Sequence, residues 1–227
     1  MTTTLITGAN KGLGFETARQ LLAAGHDVWM GSRDPERGRT AAETLGGRFV
    51  ALDVTDAESI AQAAKTIGAL DVLINNAGIS GGRDPIPEIT AGKLREVYET
   101  NVFGPVQITH SFLPLLEKSE KPVIVYVSSG LGSITLALDP SSISFQFPAL
   151  AYGSAKAALN MITVQYAKAY PKMRINAVDP GYTATDLNGH QGPQTVAEGA
   201  EIIVRMAQVT TAGPTGGYFD RTGALPW

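Results

Sequence analysis

Short β-branched and apolar runs alternate with helix-like stretches along the whole chain, and that alternation admits few folds. The runs fall at 3–7, 27–31, 48–52, 71–75, 122–128, 174–178 and 217–219. Most are continuously apolar, as expected for strands covered on both faces. Helical patterns lie near 12–24, 35–46, 56–68, 90–119, 149–170 and 194–208. The expected fold is α/β: a three-layer, doubly wound parallel sheet of about seven strands. No Pro- or Ser-rich linker and no internal repeat interrupts the chain, so residues 1–227 read as one domain. Two irregular stretches, 130–149 and 181–194, follow the fifth and sixth strands directly. Open α/β sheets hold ligands beyond the carboxyl ends of their strands, so these stretches are expected to be substrate loops.

The first strand runs into Thr7, Gly8, Ala9, Asn10, Lys11, Gly12, Leu13 and Gly14, and a helix follows. Gly8 can make the tight turn, and Gly12 and Gly14 let backbone approach a pyrophosphate at the helix N-terminus. Strand before and helix after make this a dinucleotide site of Rossmann type, with Asn10, Lys11 and Leu13 in the same loop. An acid ending the second strand would accept bonds from a ribose 2′-hydroxyl. Arg33 stands there instead, and Lys11 adds a second cation, which favours NADP(H) over NAD(H). Asp34 follows, to cap the next helix or to pair with Arg33. Asp53 and Val54 after the third strand, and Asn75, Ala77 and Gly78 after the fourth, fall at the same sheet edge. Asp53 could cap a helix, contact adenine, or do both.

Composition closes other routes. The chain has no cysteine, so disulfides, thiolate metal sites and cysteine nucleophiles are excluded. His26, His110 and His190 show no metal-ligand spacing, and no metal is expected. A net charge of −3 gives no electrostatic case for nucleic acid. No apolar run is long enough to cross a membrane, and a cytoplasmic protein is expected.

Tyr152, Gly153, Ser154, Ala155 and Lys156 open the longest alanine-rich helical stretch. Tyrosine and lysine four apart share one helical face. A free phenol titrates near about 10, and a neighbouring ammonium favours its ionised form. The pair is therefore a candidate proton donor and its tuner. Ser128 and Ser129 end the fifth strand at the ligand edge, where a hydroxyl could bond a substrate carbonyl.

Taken together these pieces resemble the short-chain dehydrogenase/reductases, over nearly the whole chain. The matching residues are Thr7 to Gly14 (T-G-x-x-x-G-x-G), Asn75 to Gly78 (N-N-A-G), Asn101, Ser129, Tyr152 to Lys156 (Y-x-x-x-K), Pro180 and Gly181. Asn10, Lys11, Gly12 and Arg33 are similar to the NADPH-dependent carbonyl reductase branch. The resemblance implies catalytic roles for Asn101, Ser129, Tyr152 and Lys156. Tyr152 would protonate the carbonyl oxygen as hydride arrives, and Lys156 would hold ribose hydroxyls and lower the phenol pKa. Ser129 would orient the carbonyl, and Asn101 would hold a water in a proton relay. Pro180, Gly181, Tyr182 and Thr183 would pass the nicotinamide, with Thr183 or Thr185 bonding its carboxamide. The family's pairing through its two long helices implies a homodimer or homotetramer.

The chain departs from compact members by extra residues over 130–151, which carry Leu136, Leu138, Ile143, Phe145 and Phe147. These side chains could line a pocket for an apolar carbonyl or alcohol, or pack within the domain or a subunit contact. The segment near 182–197 is short for a family lid. Two rival functions share the motifs: a non-catalytic cofactor-sensing protein, and a nucleotide-sugar epimerase, which needs a larger C-terminal region. No G-x-S-x-G elbow supports a serine hydrolase.

Overall fold

The computed structural model describes residues 1–82 and 84–227. Seven strands form one parallel sheet in the order β3-β2-β1-β4-β5-β6-β7. They are β1 (Thr3–Thr7), β2 (Asp27–Ser32), β3 (Arg48–Ala51), β4 (Val72–Asn75), β5 (Val123–Val127), β6 (Arg174–Val178) and β7 (Tyr218–Phe219). Each expected strand is present, with ends shifted by no more than one residue. The chain steps outward from β1 through β2 to β3, then returns to place β4 on the other side of β1. The carboxyl ends of β1 and β4 therefore flank the crevice where strand order reverses.

Neighbouring residues of one apolar run serve different cores. Leu5, Leu73, Ile124 and Tyr126 face one side, with Ile60, Ile108, Phe112 and Leu159. Ile6, Ile74, Val125 and Val127 face the other, with Leu21, Ile202, Ile203 and Met206. Side chains alternate along a strand, so only an unbroken apolar run can fill both layers. The first layer holds α3 (Ala57–Ile67), α5 (Gly104–Leu116) and α7 (Leu150–Ala169); the second holds α1 (Gly12–Ala23), α2 (Pro35–Leu45) and α8 (Val196–Ala207). Phe112 is wholly buried, and removing such a side chain from water stabilises the fold by roughly 1.5–3 kcal/mol.

Capping residues set the helix starts. Asp34 accepts from the N–H groups of Glu36 and Arg37, both at 3.1 Å, and Asp56 from those of Glu58 at 2.9 Å and Ser59 at 3.3 Å. Thr195 and Glu198 form a capping box on α8. The start of α1 has no side-chain cap and no acid in its first turn.

Two expectations need correction. The helix expected over 90–119 is α4 (Ala91–Tyr98), a π turn (Glu99–Phe103) and α5. The Gly104 N–H bonds the Glu99 carbonyl five residues back. Pro105 lacks the N–H that an α-helix would direct at the Asn101 carbonyl, so the wider turn forms there. The stretch 130–149, expected to be irregular, holds a 3₁₀ turn (Gly130–Gly132), α6 (Ile134–Leu138) and a second 3₁₀ turn (Ile143–Gln146). Ser129, Ser133 and Ser142 cap these three short elements in turn. No helix among the described residues is long and apolar enough to cross a membrane.

Candidate active site

The glycine loop lies open beside the uncapped start of α1. Gly8 and Gly12 adopt φ of +65° and +56°, a region that L side chains rarely enter. A methyl on Gly14 would come within 2.5 Å of Asn76 Nδ2 and 2.6 Å of the Gly8 carbonyl oxygen. Asn76 explains that crowding: its Nδ2 donates to the Thr7 carbonyl at 2.8 Å and the Gly8 carbonyl at 3.2 Å. The Thr7 hydroxyl accepts from the N–H groups of Asn76 and Ala77. These bonds tie β4's end to the glycine loop, leaving the first N–H groups of α1 without a protein cap. An anion is what such a terminus lacks, so a pyrophosphate fits it.

Around the expected 2′-phosphate position the cations differ in availability. Arg33 is exposed and forms no ion pair with another described residue. Lys11 instead reaches across to the loop after β6, where Nζ lies 2.6 Å from Asp186 Oδ2. Asp186 also takes His190 Nε2 at 2.8 Å. Asp34 caps α2 and pairs with Arg37 at 3.3 Å, not with Arg33. Asn10, Lys11, Arg37, Thr40 and Thr44 line a cavity of about 510 Å³. Arg37 was not singled out from sequence; its place four residues after Arg33, in the first turn of α2, is the signal.

Several expected contacts point elsewhere. The Asp53 carboxylate accepts from the Thr55 N–H at 2.9 Å and hydroxyl at 2.8 Å, and the cap of α3 is Asp56. Val54 is buried and touches the space a Gly104 side chain would need. Asn75 turns into the core, 3.4 Å from the Thr109 hydroxyl, which pairs with Tyr126 OH at 2.8 Å. Gly78 packs against Asn101, whose Oδ1 lies 3.3 Å from where a Gly78 Cβ would stand. Both side-chain polar atoms of Asn101 are engaged with Ile79: Oδ1 accepts its N–H at 2.9 Å and Nδ2 donates to its carbonyl at 2.8 Å. The Thr183 hydroxyl is buried between the carbonyls of Pro180 at 3.3 Å and Gly181 at 3.2 Å. Thr185 borders the glycine loop, 3.7 Å from where a Gly12 Cβ would be.

Tyr152, Lys156 and Ser129 do come together. Lys156 Nζ lies 5.5 Å from the Tyr152 ring centre, and the Ser129 hydroxyl hydrogen-bonds the phenol. Lys156 is only 4% exposed and donates to the Val127 carbonyl at 2.7 Å. Burial pulls its ammonium down to about 8, with Asp179 opposing. The phenol differs from expectation: burial and then the Asp179 charge raise its pKa, and the Ser129 bond only partly offsets them. Desolvation leads because burial disfavours the charged phenolate. Ser128 faces away, donating to Asn160 Oδ1 at 2.5 Å, and Asn160 Nδ2 holds the Gly132 carbonyl at 3.1 Å. Asn160 follows Lys156 at the same four-residue step that joins Lys156 to Tyr152, and that spacing would have found it.

The two stretches expected to be substrate loops touch one another. The Phe147 ring lies 5.5 Å from Tyr182, while Leu138, Ile143 and Phe145 stay exposed and Leu136 is half-buried.

With this geometry in view, comparison with known proteins is informative. Residues 2–195 match the family model for short chain dehydrogenase. The chain is 33% identical to (-)-isopiperitenone reductase of Mentha piperita, covering 97% of this chain and 96% of that protein. It is 40% identical to the short-chain dehydrogenase anuI of Penicillium roqueforti, over 89% and 87%. Among solved structures, NADPH-bound carbonyl reductase from chicken fatty liver superposes with a TM-score of 0.88 at 30% identity, covering 100% of this chain and 99% of that one. Motif order, sheet order and these likenesses agree: the chain belongs to the short-chain dehydrogenase family.

Proposed function

We propose that this chain is an NADPH-dependent carbonyl reductase, converting an apolar ketone or aldehyde reversibly into its alcohol, with 1–227 acting as one domain. The observation that carries this reading is the meeting of the Tyr152 phenol, the Ser129 hydroxyl and the buried Lys156 beside an uncapped helix start. Gly8, Asn10, Gly12, Leu13 and Gly14 would hold the dinucleotide's pyrophosphate, Arg33 and Arg37 its 2′-phosphate, and Thr185 its carboxamide end. Bound there, NADPH supplies a hydride. Ser129 orients the carbonyl oxygen, Tyr152 gives it a proton, and charged Lys156 holds the ribose and eases the loss of that proton. The relatives named as reductases, one of them with NADPH, support the cofactor and the reaction class. The exposed Leu138, Ile143, Phe145 and Phe147 on the segment that follows β5 support an apolar substrate.

The test is consumption of NADPH by the purified chain against a panel of ketones, aldehydes and quinones. Substrate-dependent loss of NADPH absorbance is expected, greatest for apolar carbonyls. Tight NADPH binding with no turnover across the panel would replace the enzyme by a cofactor sensor.

Pairing of two copies through α5 and α7 belongs to the same proposal. Val106, Met161, Ile162, Tyr166 and Tyr170 line an apolar groove of about 410 Å³ there, with Met161 59% exposed. Hydrodynamic mass in solution is expected to be twice that of the chain or more; a monomer at working concentration refutes the pairing.

A further inference from the structure

The short helix α6 has little of its own to hold it in place. It is five residues long and buries none of them, and Ile134 and Leu138 are 67% and 73% exposed. So short a helix does not persist in water by itself, because nucleation costs more than one turn of bonds returns. Residues 224–227 supply the bonds from outside. The Ser133 hydroxyl, buried, donates to the Pro226 carbonyl at 2.8 Å while accepting the Leu136 N–H at 3.1 Å. The Trp227 carbonyl accepts twice from Thr135, its N–H at 3.2 Å and its hydroxyl at 2.9 Å.

The segment 224–227 is in turn held to the sheet. Ala224 forms an antiparallel bridge with Phe219, and the Leu225 N–H donates to the Tyr218 carbonyl at 2.8 Å. The Trp227 ring stacks on the Tyr218 ring, with centroids 5.3 Å apart and planes at 16°. Tyr218 is buried in β7, which pairs with β6. The indole ring therefore anchors the carbonyl that Thr135 uses.

The place of α6 in the chain gives this anchoring a consequence. The stretch that contains it leaves β5 at Ser129 and enters α7 just before Tyr152. From Ser129 to Ser133 the backbone is one tight turn. The Gly132 N–H donates to the Ser129 carbonyl at 2.8 Å, and the Ser133 N–H to the Gly130 carbonyl at 3.1 Å. The Leu131 N–H donates to Ser129 Oγ at 3.3 Å, which sets the direction of that hydroxyl and leaves its proton to be donated. On one side α7 holds the turn: a methyl on Gly132 would lie 2.7 Å from the Lys156 carbonyl carbon, and Asn160 Nδ2 donates to the Gly132 carbonyl at 3.1 Å. At its far end, Ser133, the hold comes from Pro226.

We propose that Trp227 is a positioning residue for the carbonyl substrate. Through its stack on Tyr218 and the bonds from Ser133 and Thr135 to residues 226 and 227, it fixes α6 and the turn that carries Ser129, and so fixes which face of the carbonyl meets the hydride. This rests on the role given to Ser129 above, and Trp227 acts through that turn, not on the reacting atoms.

The test is the stereochemistry of the alcohol formed from acetophenone, a prochiral ketone, by the parent and by Trp227→Ala. An enantiomeric ratio is set inside the folded site and does not depend on how much of the chain is folded, so a merely structural role would not move it. Alanine keeps the carbonyl at 227 but removes the ring that places it. The enantiomeric ratio is expected to fall and KM for the ketone to rise, each by roughly 3–10-fold, the scale of one or two lost hydrogen bonds, with NADPH affinity unchanged. Trp227→Phe retains a ring for the stack and should recover most of both. A ratio and KM equal to the parent's in Trp227→Ala, an equal loss in Trp227→Phe, or racemic alcohol from the parent would overturn the proposal. Should Trp227→Ala not fold, Thr135→Val at an exposed position removes one bond to Trp227 alone. Its ratio is expected to fall in the same direction, and an unchanged ratio overturns the proposal. Amide exchange at Thr135 needs no turnover and should quicken by about tenfold or more in Trp227→Ala. Unchanged exchange there would also overturn the proposal. A parent inactive toward every carbonyl, with Thr135 exchange that still responds, would remove the proposed function and leave the hold on α6 standing.

Discussion

Replacing Tyr152 by phenylalanine is expected to lower kcat by roughly 10²–10⁴-fold while leaving KM nearly unchanged. The phenol is pushed above its ordinary pKa by burial and by Asp179, so it carries its proton at neutral pH. That is the form a reduction needs, since hydride reaching a carbonyl carbon leaves a strongly basic oxygen beside the hydroxyl. Phenylalanine keeps the ring and its packing and removes only the donor. The stability change should stay within about 1 kcal/mol, the usual scale of one exchanged hydrogen bond. Ser129 and Lys156 remain in Tyr152→Phe, so any residual rate reports orientation without proton transfer. Single-turnover kinetics with saturating NADPH makes the measurement. Retention of more than a tenth of the parental rate would remove Tyr152 from the chemistry.

Arg33→Ala is expected to weaken NADPH binding by roughly 10–100-fold, on the scale of one charge-assisted hydrogen-bond pair, with little effect on NADH. Arg33 stands at the end of β2 with no ion pair to another described residue, whereas Lys11 is held by Asp186 and Arg37 by Asp34. A 2′-phosphate would compete with those carboxylates for the other two cations, but Arg33 is ready for it. The loss should shrink as salt is raised, because the site is solvent-exposed and its charges are screened. Calorimetric titration of parent and variant with both cofactors tests this. An equal weakening for NADPH and NADH would mean that Arg33 shapes the loop and does not read the phosphate.

How much of this was legible beforehand can be traced to particular residues. The strands were legible because a sheet covered on both faces needs unbroken apolar runs, which few other structures tolerate. The start of α2 was legible in Asp34, which caps it. The Tyr152–Lys156 pair lay on one face because helical geometry alone puts it there. The π turn was missed: Gly104 and Pro105 stand inside an otherwise helical pattern, and the break shows only in the structure, where Asn101 is bonded to Ile79.

Partners drawn from distant parts of the chain were not legible. Lys11 and Asp186 stand 175 residues apart and pair because β1 and β6 end at the same edge of the sheet. Nor does the sequence say that burial would push the phenol's pKa up. Desolvation depends on what surrounds a group in three dimensions, whereas a motif records only what stands beside it along the chain. Sequence determined the layers, the sheet and the chemical types at its edge; tertiary packing decided which of those groups are charged, which are engaged and which are ready to act.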